Sequence, residues 1–386
     1  MKHNIMILEK FMQEYFPLGM ASGELFCNRT EEREQLAKNI NKGQHTILVS
    51  PRRYGKTSLA FQVFADSSKN LINSNIDFLI ASDIHYVQNA ILSCVGTAIP
   101  QILSQHKNIT EKIKKFFSFS SSKLTLAASG PSIEFIHNQP PPETIVEALI
   151  GLDKIAQEEN KRVALLFDEF QQIGMLKNCE SIEAAIRHAA ERTKKVSYIF
   201  SGSDRHLLTE MFDDSARPLY HLCVKVPLDR ITALEYKKHL KKLALMRWQK
   251  TLNDEIIATI LAFTKCHPYY VNLLCSQIWE SDHPLRDKTQ VLELWEKYVQ
   301  SEQSRIAYEL ARLSPNQRAI IGAVATENIS QPGSQYFLEK VRLPVASALQ
   351  AINALTVKDI IYKNNEGYLT VLDPAVGYFV RKFLHN

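Results

Sequence analysis

No apolar run in these 386 residues approaches the roughly 18 to 20 that a bilayer-spanning helix needs, so no membrane role is expected. The opening residues, MKHNIMILEKFMQEYF, place Glu9 and Glu14 inside what would be the apolar core of a signal peptide, and the cytoplasm is the expected compartment. The six cysteines (Cys27, Cys94, Cys179, Cys223, Cys266 and Cys275) include no C-x-x-C pair and have no histidine at ligand spacing. That excludes a zinc framework and a disulfide scaffold, and the cysteines read as reduced thiols, mostly in the core. Strong charge of either sign is also lacking: a formal +5 permits nucleic-acid contact without demanding it. What is present is 45% hydrophobic and 23% charged residues, enough apolar surface to exclude disorder. With domains of about 100 to 200 residues, two or three are expected.

The chain alternates strands and helices before turning all-helical. After a short N-terminal helix, Thr30 is placed to cap a helix with Glu31 and Glu32 in its first turn and Leu36 and Ile40 at core spacing. A strand, HTILVS, then leads through a Gly-Lys loop into a helix whose Leu59, Phe61 and Phe64 share one face. Further apolar runs read as buried parallel strands: IDFLIASDI around Ile76, RVALLFDE from Arg162, SYIFSGS from Ser197 and CVKVPL from Cys223. The fold class is therefore α/β, a five-stranded parallel sheet covered by helices on both faces. Between the second and third strands, KLTLAA and SIEFI flank a Ser-Gly-Pro turn, read as an inserted hairpin near 116–142 with a linker, or alternatively as a mobile loop. From Ile231 the pattern is helical, and after Ser314-Pro315 three helices and the ribbon IIYKNNEGYLTV follow in winged-helix order. The expected domains are 1–230, a helical lid over 231–300 and a winged helix over 301–386.

The segment ILVSPRRYGKTSLA is the clearest chemical signal. A loop between a strand and a helix, with small residues where it turns, points backbone N–H groups at phosphates beside the helix N-terminus. Gly55 takes the tight position, Lys56 reaches the β- and γ-phosphates, and Thr57 offers a hydroxyl to Mg²⁺. Ser50, Pro51, Arg52, Arg53, Tyr54 and Ser58 complete the cradle. Ser50 stands where the G-x-x-x-x-G-K-[ST] pattern has glycine. Because Pro51 disfavours the α region at Ser50, an extended backbone that serine tolerates is expected there. In ALLFDEFQQI, Asp168 and Glu169 end an apolar strand at the edge where open α/β sheets bind ligands. Asp168 is the expected Mg²⁺ ligand and Glu169 the group that orients or deprotonates water; a helix cap is the plainer reading for one of the two acids. Ser203 and Arg205 leave the next strand at the same edge, where Arg205 either senses the γ-phosphate or pairs with an acid.

These residues together resemble the STAND-type P-loop ATPases, in the archaeal-type branch. The likeness runs from Phe26 over nearly the whole chain, through FCNRTEE, PRRYGKTSL, FDEFQ, SGS, RPLY and CHPYYVNLL. It implies an additional-strand, catalytic-glutamate (ASCE/AAA+-like) P-loop ATPase with a helical lid and a winged helix, using ATP or ADP and Mg²⁺ as a switch. It also implies that Asn28 and Arg29 lie near the adenine and that His267 and Pro268 approach the nucleotide; read from the residues alone, Cys266–Pro268 is equally a helix-breaking turn with a surface histidine. Asn28, Ser50 and Cys266 each replace a glycine usual in that family, and PLYHL lacks an arginine common there.

For the tail, nine Lys and Arg against seven Asp and Glu over 301–386 leave little basic footprint, and the expected reading helix, Pro344 to Thr356, carries no lysine or arginine. The basic run is EYKKHLKKLALMRWQK, read as a solvated face or as a surface for nucleic acid or an acidic partner. The leading expectation is an Mg²⁺-dependent ATPase switch controlling another protein or its own oligomerisation, slow without a partner. An ATP-gated DNA-binding protein is the alternative, with nucleic acid not favoured, and a nucleotide-binding scaffold without turnover is a third.

Overall fold

A computed structural model describes residues 15–104, 115–117, 121–127, 130–136, 139–364 and 366–384. The expected short N-terminal helix falls on residues outside that set. The chain forms two compact units, Met20–Asp229 and a second from Arg230 onward that includes the described residues before Met20. Phe16 meets Trp279 edge-on with centroids 4.7 Å apart, and Asn272 donates to the Pro17 carbonyl at 2.8 Å. The described stretch before Met20 thus packs with the second unit and not with the phosphate-loop domain of 1–230 expected from the sequence.

The first unit is built on β1 (Thr46–Val49), β2 (Leu71–Asp77), β3 (Ser121–Ala127), β4 (Gly130–Ile136), β5 (Arg162–Asp168), β6 (Val196–Ser201) and β7 (Val224–Pro227). Five of them form one sheet in the order β2-β5-β6-β1-β7, every pair parallel. The period-2 alternation of β5 separates two cores. Val163, Leu165 and Phe167 pack with Ile91, Leu149 and Ile186 from helices Ile84–Ile102, Pro141–Glu158 and Cys179–Ala190. Ala164 and Leu166 face Leu36, Leu59 and Val63 from helices Thr30–Lys42 and Lys56–Asp66. Burial on both faces is why β5 is continuously apolar from Val163 to Phe167 and β6 is buried throughout. The inserted segment is an antiparallel β3–β4 hairpin, and Pro141 and Pro142 stand in the first turn of the helix that follows it, where a missing N–H costs nothing.

Three expectations about local structure are corrected. The second strand lies earlier than IDFLIASDI: β2 ends at Asp77, after which Leu79 and Ile80 are exposed and Asp83 caps the next helix by accepting from His85 and Tyr86 N–H. As an edge strand it tolerates the polar Asn73, Ser74 and Asn75 that hid it. Thr30 is the first helical residue, and the cap is Arg29 in a left-handed conformation with φ +54°. Phe61 is only partly buried, while Leu59 and Phe64 are core.

The second unit carries helices Ala233–Trp248, Asp254–Thr264, Pro268–Trp279 and Lys288–Ser301. Capping boxes at Thr232–Glu235 and Asp287–Gln290 start the first and last of these. The long run after Thr289 divides at Glu302 into two helices. Helices Pro315–Thr326, Gln335–Val341 and Val345–Val357 and the wing strands β8 (Ile361–Lys363) and β9 (Leu369–Val371) complete a winged helix. No helix among the described residues is long and apolar enough to cross a membrane.

Candidate functional site

The loop between β1 and helix Lys56–Asp66 turns through two left-handed residues, Arg53 (φ +65°) and Gly55 (φ +84°). Gly55 is the helix N-cap and lends no side chain, so the first N–H groups of the helix are not capped from that residue. The space where a Gly55 Cβ would project is open for 4 Å, so glycine is needed here for its backbone angle and the room beside it suits an anion. Ser50 does not take a positive φ, in keeping with the extended backbone expected before Pro51.

Lys56 is buried, and its ammonium donates to the main-chain carbonyls of Ser50 (3.1 Å) and Pro51 (3.0 Å), with Ser50 Oγ at 3.4 Å. The lysine is thereby folded over its own loop. Pro51 and Tyr54 are buried, while Arg52 and Arg53 are exposed. Ser58 Oγ accepts from Ala21 N–H at 3.3 Å and Gln62 Oε1 from Gly23 N–H at 2.7 Å, which ties the entry of the unit to the phosphate-loop helix.

Across from the loop, the end of β5 sets two carboxylates apart in role. Asp168 accepts from Thr57 Oγ1 at 2.6 Å on one oxygen, and from Ser201 Oγ at 2.5 Å and the Glu169 N–H at 3.0 Å on the other. Glu169 adopts φ +50°, a left-handed conformation that a side chain occupies only when its surroundings enforce it. Its Oε2 accepts from Ser203 Oγ at 2.7 Å and from Gln171 Nε2 at 2.5 Å. Gln171 is itself buried, and Gly202 is needed beside it, since a Cβ there would lie 1.9 Å from Gln171 Oε1. Ser201 and Gln171 are hydrogen-bond partners of the two acids that the sequence did not single out. Both lay within quoted motifs, and only proximity to Asp168 and Glu169 could have pointed to them.

Arg29 is buried and donates to Glu32 (2.9 Å) and to the carbonyls of Tyr54 (2.9 Å) and Asp229 (2.8 Å). It fixes the loop against the exit of the unit. Asn28 also has positive φ, and its Oδ1 accepts from Thr30 Oγ1 at 2.7 Å. Arg205 is half-buried at the first position of helix Arg205–Asp213. The structure thus gathers Lys56, Thr57, Asp168, Glu169 and Ser203 around one sheet edge. His267 and Pro268 belong to the other compact unit. His267 precedes helix Pro268–Trp279 and is buried against Tyr270, 5.1 Å between rings, so the surface histidine of the turn reading is corrected. Arg217 of RPLY is anchored inside its own unit by the buried Glu183, while Arg187 donates to the carbonyls of Pro218 (2.7 Å) and Tyr220 (2.8 Å).

Any divalent ion here would meet only oxygen donors, the Thr57 hydroxyl and the Asp168 carboxylate. Among the described residues no cluster of three or more His, Cys, Asp or Glu could hold a metal. One or two hard oxygen ligands, with the rest of the shell left to phosphate and water, is the donor set that suits Mg²⁺.

A family described as a probable winged helix domain matches residues 307–382. No curated protein matches the chain. Among solved structures, the chain is similar to a Walker-type ATPase of Pyrococcus abyssi, at 17% identity over 95% of this chain and 99% of that one, with a TM-score of 0.65. It is also similar to the Aeropyrum pernix ORC2 protein solved as ADPNP-ADP complexes, at 13% identity over 97% and 99% of the two chains, with a TM-score of 0.55. At such identities the likeness is one of fold: a five-stranded parallel sheet of the P-loop ATPase type, helices, and a C-terminal winged helix.

Proposed function

We propose that the protein binds and hydrolyses ATP with Mg²⁺ as a molecular switch of the STAND type, its nucleotide state controlling a partner protein or its own assembly. The observation that carries this reading is the 2.6 Å hydrogen bond from Thr57 to Asp168, which brings the phosphate loop and the acid-bearing strand end to one point. Thr57 and Asp168 would hold the ion, which when bound offsets the charge developing on the phosphates.

The chain's own residues do the rest. Loop N–H groups and Lys56 bind the triphosphate, and turning Lys56 from the Ser50 and Pro51 carbonyls to phosphate exchanges neutral acceptors for a charged one. Glu169 orients a water and takes its proton, with Ser203 and Gln171 fixing which way the carboxylate points. Asn28, Arg29 and the loop residues from Ser50 to Ser58 frame the nucleotide, Arg29 by holding the Tyr54 carbonyl. Arg205 sits at the edge where a γ-phosphate would be sensed, and His267 with Pro268 is the second unit's candidate sensor. A group that contacts the γ-phosphate in one state only biases two conformations by its differential affinity.

A partner protein or a second copy of the chain is favoured over nucleic acid as the reader of that state. The helix Val345–Val357 exposes Gln350 and Asn353 but no lysine or arginine, and beside them Val345 (48%) and Leu349 (45%), one turn apart, offer apolar surface. On the basic helix, Lys237 and Lys241 are both paired with Asp254 at 2.8 and 2.7 Å, which reduces the free charge of that face.

Two substitutions test the assignment. Lys56→Ala is expected to weaken ATP binding about tenfold or more, measured by calorimetry. Glu169→Gln is expected to retain binding and lose about 10²- to 10⁴-fold in hydrolysis. Unchanged affinity in the first, or unchanged turnover in the second, would refute the reading. A turnover rate that rises cooperatively with protein concentration would favour self-assembly over a separate partner.

A further inference from the structure

The second unit contains a cavity of about 520 Å³ that the phosphate loop does not explain. It lies between the C-terminal end of helix Asp254–Thr264 and the winged helix, within the size range of small-ligand sites. Three cations line it, Arg230, Lys265 and Arg381, together with Tyr362 and Tyr378. Two acids also reach it, but Glu327 is already held by Lys340 and Tyr336, and Glu366 is exposed on the wing turn.

The cations are disposed differently. Arg230 stacks over Tyr362 at 5.0 Å and donates to the carbonyls of Lys265 and Leu372, both at 2.8 Å, so it contributes its charge while bracing the lid segment against the winged helix. Arg381 lies over Tyr378 at 5.8 Å. No carboxylate among the described residues pairs with Lys265 or Arg381. The Lys265 ammonium is held below its usual range, first by burial and then by the like charges of Arg381 and Arg230. The backbone that presents it is strained as well, because Lys265 (φ +50°) and Cys266 (φ +56°) are consecutive left-handed residues. Crowded cations, a strained presenting turn and a bracing arginine make an arrangement that an anion would relieve.

We propose that this cavity is a binding site, separate from the phosphate loop, for a small phosphorylated ligand carrying at least two negative charges. A single carboxylate would answer only one of the two cations, Lys265 and Arg381, that no described carboxylate pairs, whereas a di-anionic phosphate matches both. Lys265 and Arg381 ligate the phosphate. Asn364, Tyr362 and Tyr378 line the remaining volume and suit a polar or ring-bearing remainder. Because Arg230 spans the lid carbonyl of Lys265 and the winged-helix carbonyl of Leu372, occupancy stiffens the junction of lid and winged helix, the natural place for an effector to act.

The test is calorimetric titration of inorganic pyrophosphate, without added Mg²⁺, into the full chain carrying Lys56→Ala, which removes the phosphate-loop lysine. Binding is expected, and adding Lys265→Gln with Arg381→Gln should weaken it about ten- to hundredfold while the melting temperature holds. Should the double substitution unfold the protein, each single one, at residues tied by no ion pair, serves alone with a proportionate loss. No pyrophosphate binding at millimolar concentration, or equal affinity with and without the cavity cations, overturns the proposal. So does short duplex DNA that binds through Lys265 and Arg381 and displaces pyrophosphate, since the cations would then belong to a nucleic-acid surface. The loss of ATP affinity on going from wild type to Lys56→Ala reports on the phosphate loop, so a failure there is distinguishable from a failure here.

Discussion

Replacing Ser50 by glycine restores the residue that phosphate loops ordinarily carry, and the structure argues that nothing is gained. Ser50 does not occupy a left-handed conformation, so glycine offers no relief of backbone strain. The two carbonyls that hold Lys56, those of Ser50 and Pro51, are main-chain groups and survive the substitution. What disappears is the long 3.4 Å contact from Lys56 to Ser50 Oγ and the 3.2 Å bond that this hydroxyl donates to the Pro51 carbonyl. These bonds are weak, about 0.5 kcal/mol each, and added freedom of the unfolded glycine costs a further 0.5 to 1 kcal/mol or so. Ser50→Gly should therefore lower the melting temperature by about 3 to 8 °C, taking roughly 2 to 4 °C per kcal/mol for a unit of this size. ADP affinity should stay within about threefold, or roughly 0.65 kcal/mol. Differential scanning calorimetry and a nucleotide titration read the two quantities separately. ADP binding that tightens tenfold or more would refute the reasoning, because the serine Cβ would then be shown to obstruct the phosphates.

Two further outcomes concern stability. Burial outweighs the Arg217 charge and pushes the Glu183 carboxyl up to about 7 from 4.5. The folded chain therefore holds that proton more tightly than the unfolded one, so the contribution of Glu183 is complete below about pH 4.5 and is lost as pH rises through 7, roughly 3 kcal/mol in all. Urea unfolding of wild type and Glu183→Gln between pH 5 and 8 should show that slope in the wild type only, and equal slopes would contradict it. Cys266→Gly should raise the unfolding free energy by about 0.5 to 1 kcal/mol, because φ +56° is costly for cysteine and free for glycine. A loss of stability there would mean that the thiol's packing outweighs the strain.

How much the sequence disclosed follows from where each element sits. β5 and β6 are flanked by strands and covered on both faces, so the runs VALLF and YIF at their centres are apolar and legible. β2 shares only β5 and is polar enough at Asn73, Ser74 and Asn75 for the apolar residues after it to draw the assignment five to seven residues too late. At the site, groups that announce themselves by type and spacing were legible: Gly55, Lys56, Thr57, Asp168 and Glu169. The groups that orient them were not. Ser201 ends β6 as a fully buried polar residue, and Gln171 lies in a short helical turn; nothing local distinguishes either from an ordinary strand-end serine or surface glutamine. Only the fold, which brings β5 and β6 side by side, turns them into partners of the two acids.

The three positions at which this chain lacks an expected glycine are physically unlike one another, and backbone angle sorts them. At Ser50 no positive φ is required, so the substitution is nearly free. At Asn28 φ is +46°, but asparagine is the side chain best tolerated there after glycine, and its amide oxygen gains a bond from Thr30. At Cys266 the left-handed angle persists with no such tolerance, and the neighbouring carbonyl is clamped by Arg230 from the start of the same unit. Strain has thus been kept at one of the three, on the turn that presents Lys265 to the second cavity and leads into His267. The turn joins a cation-lined pocket to the candidate sensor His267, so its strain is held where a bound anion would act on the backbone.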